Sequence, residues 1–175
     1  MWSFWRRTTA SSVNANDTIL KPQQCFVLRN VNTNITLQVY TLGDVPKGQL
    51  ATTVRKSATA QNDAPLSTDR PVPMSLAELD LIGTAAFVGS ASGSASPAIR
   101  KDQILIPDNT AAGANKSPGG AGTYFYRNDL AIWVRTTATS TDVSTNKLIQ
   151  PGQAFWIRSA TNNNTTTTWS HNATY

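Results

Sequence analysis

The chain has 175 residues, enough for one sizeable β-sandwich or barrel or for two small β-modules that share a core. Only 14% of residues are charged, Ser, Thr and Asn fill the polar positions, and the net charge of +5 comes from cations scattered singly along the chain. That scatter argues against a nucleic-acid footprint, and the lone Cys25 excludes an intrachain disulfide and a cysteine-ligated zinc site. No run approaches the roughly 18 apolar residues of a membrane span.

The opening Met1-Trp2-Ser3-Phe4-Trp5 reads as a strand and not as the charged and apolar regions of a signal peptide, so we expect a processed piece of a longer exported precursor. Arg6 and Arg7 follow directly and form the densest basic spot, the one place where base stacking with phosphate contact is conceivable.

An internal repeat organises what comes next. Trp5-Arg6-Arg7-Thr8-Thr9-Ala10-Ser11 recurs as Trp133-Val134-Arg135-Thr136-Thr137-Ala138-Thr139. Ile19-Leu20-Lys21-Pro22-Gln23-Gln24-Cys25-Phe26-Val27-Leu28-Arg29-Asn30 recurs, with one residue gained, as Leu148-Ile149-Gln150-Pro151-Gly152-Gln153-Ala154-Phe155-Trp156-Ile157-Arg158-Ser159. Thr36-Leu37-Gln38-Val39-Tyr40 then matches Thr165-Thr166-Thr167-Thr168-Trp169. Phe26 and Leu28, like Phe155 and Ile157, alternate with apolar partners, the pattern of a strand covered on both faces. Cys25 falls in that pattern as a buried thiol, and Arg29 and Arg158 leave the core as salt-bridging or snorkelling groups. The predicted organisation is a first, incomplete repeat over 1–44, a linking region over 45–101 and a second repeat over 102–175, in one compact unit.

In the linking region Gln49-Leu50-Ala51-Thr52-Thr53-Val54-Arg55 predicts a strand, followed by a polar loop to about Pro73. Ser75 and Glu78 have the spacing of a helix capping box before an apolar run, which predicts one short helix over 76–82 ended by Gly83. Ala85-Ala86-Phe87-Val88 and Gln103-Ile104-Leu105-Ile106 read as strands, and Thr123-Tyr124-Phe125-Tyr126-Arg127 with Ala131-Ile132-Trp133-Val134 as a hairpin across Asn128-Asp129. The sum is an all-β fold, a sandwich or distorted barrel.

The runs Asp102-Gln103-Ile104-Leu105-Ile106-Pro107-Asp108-Asn109, Gly113-Ala114-Asn115-Lys116-Ser117-Pro118, Tyr124-Phe125-Tyr126, Trp133 and Pro151-Gly152-Gln153-Ala154-Phe155-Trp156-Ile157-Arg158 resemble a family of paralogous secreted β-rich proteins of Verrucomicrobia and related bacteria. The likeness runs from about Ser75 to Trp169. It implies an exported bacterial surface protein, and with no activity assigned to that family it offers no catalytic residue to carry over. The early repeat copy lacks equivalents of Gln103–Ile106 and Thr123–Arg127, so the chain is expected to begin inside a repeat.

Catalytic groups are few. His171 is the sole histidine and sits in a polar tail, where a solvated imidazole is expected, so no nucleophile and base pair is foreseen and the chain is read as a non-enzyme without cofactor. Asp102 and Asp108 flank one strand and would reach a cation only together with Asn109, and no metal site is assigned. The Asn-x-Ser/Thr sequons fit the Asn/Thr-rich composition without indicating glycosylation. Aromatic residues crowd the termini, and Trp2, Phe4, Trp5, Thr165, Thr167, Trp169 and Tyr175 are the expected contacts between subunits. The expected function is that of a structural subunit of an extracellular filament or sheath, partnered by copies of itself. The alternative is a cell-surface adhesin or glycan-binding module in which Trp133 and Trp169 stack on sugar rings.

Overall fold

The computed structural model describes residues 6–7, 10–19, 48–93, 100–108, 122–160 and 165–171. In chain order the strands are β1 (Arg6–Arg7), β2 (Ala10–Asn14), β3 (Leu50–Arg55), β4 (Asn62–Ser67), β5 (Met74–Ser75), β6 (Gln103–Leu105), β7 (Thr123–Arg127), β8 (Ile132–Arg135), β9 (Ala138–Asp142), β10 (Leu148–Ile149), β11 (Ala154–Ser159) and β12 (Thr166–His171). The fold is all-β, as the alternation predicts. The sheets stay open and no barrel closes among the described residues.

The principal sheet has six antiparallel strands in the order β4-β11-β6-β7-β8-β9. Period-two alternation sends Ala64, Leu66, Phe155, Ile157, Ile104, Tyr124 and Trp133 to one face. The β3–β12 ribbon, the β5–β10 pair and the segment from Leu76 to Phe87 cover that face, contributing Val54, Trp169, Met74, Ile149, Leu76, Leu79, Leu81, Ala86 and Phe87 to the same core. Rings meet edge-on or tilted across the two layers: Phe155 and Trp169 have centroids 5.8 Å apart, and Phe87 and Trp133 5.0 Å. Burying each such ring is worth about 1.5–3 kcal/mol, which outweighs any single surface ion pair. On the opposite face Leu105, Phe125 and Val134 are buried too, so the middle of the sheet is covered on both sides.

Several elements differ from the sequence expectation. The stretch read as a polar loop before Pro73 holds β4, which alternates Ala64 and Leu66 inward with Asp63 and Pro65 outward. Pro65 hides the strand from a sequence reading because it lacks an N–H, and it is tolerated here because β4 is the edge of the sheet. Ala85-Ala86-Phe87-Val88 is no strand: it lies in turns and irregular chain, with Val88 N–H bonded to the Asp102 carboxylate at 2.9 Å in place of a ladder partner.

The predicted helix over 76–82 shrinks to a single 3₁₀ turn, Ala77–Leu79. Its capping box forms: Ser75 N–H and Oγ both donate to Glu78 Oε2 (2.7 and 2.8 Å), and Glu78 N–H donates to Ser75 Oγ at 3.3 Å. Those bonds hold the Glu78 carboxyl below the usual carboxylate range. The turn stops at Asp80, which takes the left-handed conformation (φ 50°), before Gly83 is reached.

Candidate functional site

The expected subunit contacts fall into three groups. Trp2, Phe4, Trp5 and Tyr175 lie outside the described residues, as does Cys25. Thr165 and Thr167 belong to the ribbon formed with β3, where Thr165 C=O accepts from Lys56 N–H at 2.8 Å and Thr167 Oγ1 donates to Val54 C=O at 3.2 Å. Trp169 is a correction: its side chain is fully buried, and its indole Nε1 donates to Leu79 C=O at 2.8 Å. The register Trp169↔Thr52 and Thr167↔Val54 turns this row inward, so the aromatic residue near the chain end is core and not a surface contact. Trp133 is buried as well, and neither ring is available to a sugar.

His171 is the second correction. It is 3% exposed, stacked on Trp169 with ring centroids 4.3 Å apart, and Arg70 Nη2 lies 3.4 Å from its Nδ1. A guanidinium only donates, so Nδ1 accepts and the ring proton sits on Nε2. Burial first, and then the Arg70 charge, push the imidazole below its ordinary value, against a smaller opposite pull from Asp69. Period two along β12 puts the histidine on the same face as Trp169, and the pairing with β3 makes that face the interior.

At the other end of the ribbon Asp102 is also buried, and it is no cation ligand. Its Oδ2 accepts from Lys56 Nζ at 2.8 Å and from Val88 N–H at 2.9 Å, and its Oδ1 accepts from Ala160 N–H at 2.9 Å. Lys56 is itself only 2% exposed. Most of the acceptor capacity of this carboxylate is taken by an ammonium and two amides, and the ammonium beside it repels a metal ion. Asp108 is exposed, and Asn109 lies outside the described residues.

The repeat supplies the geometry with most bearing on function. In β8–β9 the pairs are Val134↔Asp142 and Arg135↔Ala138, with the register shift between Val134 and Arg135, so that Thr139, Ser140 and Thr141 bulge out between them. In β1–β2 the pairs are Arg6↔Asn14 and Arg7↔Ala10, with the shift between Arg6 and Arg7. Arg6, Arg7 and Ala10 are equated with Val134, Arg135 and Ala138 by the sequence alignment, and Asn14 and Asp142 continue the same offset, so the two hairpins share one register and one bulge. Their surroundings differ. β8 is paired on its other side with β7 over four residues, and Arg127 of β7 donates from Nη1 to Thr139 C=O in the bulge at 2.7 Å. Among the described residues β1–β2 is a two-stranded sheet with no counterpart of β7.

The outer face of β11 carries one more feature. Trp156 is half-buried opposite the exposed Pro65, and two residues on Arg158 grips Asp63 through two bonds of 2.8 and 2.7 Å. That pair fulfils the expectation of a salt-bridged arginine at this repeat position and lifts the Arg158 guanidinium above its ordinary value.

Comparison with family models, with curated proteins and with solved structures finds no match to this chain. Among the described residues no helix is long and apolar enough to cross a membrane.

Proposed function

We propose that the chain is a structural subunit of an extracellular bacterial filament or sheath, assembled by β-strand pairing between copies. The observation that carries this reading is the β1–β2 hairpin, which has the register and bulge of β8–β9 but, among the described residues, lacks the neighbour that β7 provides. Such an edge offers N–H and C=O groups to an incoming strand. The incoming strand has to do what β7 does in the second copy: run along the hairpin and send a donor into the bulge. A contact between two different surfaces is head-to-tail, and where its rotation does not close a ring it propagates into a fibre. The neutral Ser/Thr/Asn surface and the family resemblance support a place outside the cell.

Negative-stain electron microscopy of the purified chain at high concentration tests this. Filaments are expected, and Arg6→Pro, which removes a ladder donor from the open edge, is expected to shorten or abolish them. A preparation that stays monomeric at every concentration sinks the reading.

A second reading, a glycan-binding surface, is favoured by Trp156. A half-buried tryptophan beside a proline, with an arginine and a carboxylate held two residues away, has the flat apolar platform and the polar groups that a sugar ring needs. Glycan-array binding that disappears in Trp156→Ala supports it, and an array without signal removes it.

A further inference from the structure

We propose that His171 and Arg70 form an acid-sensitive latch on β12: proton uptake by the imidazole sets a second cation against the buried guanidinium, and the strand lets go of β3. The device depends on the chain's own residues and holds whether or not copies assemble.

The placement is what makes it a latch. His171 is the last residue of β12 and pairs with Leu50, the first residue of β3, so it closes one end of the ribbon. Its ring is stacked on Trp169, whose indole in turn holds Leu79 C=O, so moving the histidine disturbs the strand's main anchor in the core. Among the described residues the groups facing it can be named. From the segment after β4 come Arg70, 7% exposed, and Asp69, which engages Ser67 Oγ. From the 3₁₀ turn Glu78 acts on Arg70 at longer range, and β3 presents the uncharged Leu50.

Protonation changes each contact in a definite direction. Nδ1 stops being an acceptor, so the Arg70 hydrogen becomes a repulsive contact between two donors. The imidazolium loses solvation that a 3% exposed site cannot replace. Stacking on Trp169 gains a cation–π component and Asp69 attracts the new charge, and both resist release. Desolvation and the Arg70 charge are the larger effects, as the depressed proton affinity of the ring states.

The sign follows from linkage. A released His171 titrates near 6.5 and the latched one below it, so in the window between the two the released strand holds one more proton. One proton of difference makes opening about tenfold more frequent for each pH unit of acidification in that window. Above 6.5 the latch contributes in full, and it is lost as pH falls through the latched value.

Hydrogen exchange of the Trp169 and His171 amides, which face Thr52 and Leu50 of β3, measured on the full chain from about pH 7 to pH 5, reads this directly. Their protection factors are expected to fall about tenfold per pH unit below 6.5. The imidazole C–H resonances, free of overlap with any other histidine, are expected to titrate below 6.5. In His171→Gln, whose side-chain oxygen accepts from Arg70 at every pH, the acid dependence of β12 is expected to vanish. Titration at or above 6.5, or the same acid dependence in His171→Gln, overturns the latch. If that variant does not fold, the wild-type measurements decide alone, since flat β12 protection across the range overturns it equally.

Discussion

The β3–β12 ribbon is fastened at its two ends by buried charged groups that are arranged in opposite ways. At the Thr166 end Lys56 and Asp102 are of opposite sign, 2.8 Å apart, and Asp102 also takes two backbone N–H groups, so every charge faces its complement. At the His171 end a guanidinium faces an imidazole whose charged form is disfavoured by burial and by that guanidinium. Equal burial therefore means different things. The first end is a permanent tie whose removal leaves an uncompensated charge, and the second is conditional on one proton.

The largest effect is expected at the permanent tie. Lys56→Met leaves the Asp102 carboxylate buried without its cation and should cost about 3–5 kcal/mol in denaturant unfolding. Replacing Asp102 by Asn in that background should recover part of the loss, and if Lys56→Met alone is neutral the two ends are not different in kind. Trp169→Ala, in the middle of the ribbon, removes a large ring and its bond to Leu79 and should cost about 3–5 kcal/mol at any pH. It should also free His171 from its stack, so that the acid dependence of stability weakens along with the stability itself. The smallest effect belongs to the capping box beneath the ribbon. Ser75→Ala removes the two hydroxyl bonds of the box, leaves the bond from the backbone N–H of residue 75 to Glu78, and should cost about 1 kcal/mol. The mild acid sensitivity of Glu78, whose depressed carboxyl contributes above its ordinary value of 4.5 and is lost as pH falls below it, should only weaken, because the backbone N–H that lowers it most is still there. A Glu78→Gln variant that keeps the wild-type slope between about pH 5 and pH 3 assigns that slope to other carboxylates.

The two hairpins sharpen the same lesson on a larger scale. Similar residues at equated positions produce the same pairs and the same bulge in β1–β2 and β8–β9, yet among the described residues only the second is flanked by a strand and has its bulge carbonyl capped by Arg127. Alternation and repeat were legible along β3, β6, β7, β8 and β11, where apolar residues recur at the period of a strand. β4 was hidden by Pro65, and the helix over 76–82 was overestimated because a correct capping box says where a turn begins and nothing about how far it runs.

What the sequence by itself determined is local: strand periodicity, the Ser75–Glu78 cap and the repeat. Which polar groups are buried was decided by tertiary structure alone. His171 and Asp102 look like a solvated tail residue and a loop carboxylate when read along the chain, and they become interior groups only because β12 lies on β3 and because residues 88, 102 and 160 converge. Burial and charge pairing depend on contacts between residues far apart in sequence, and a period of two along one strand carries no information about which strand will cover it.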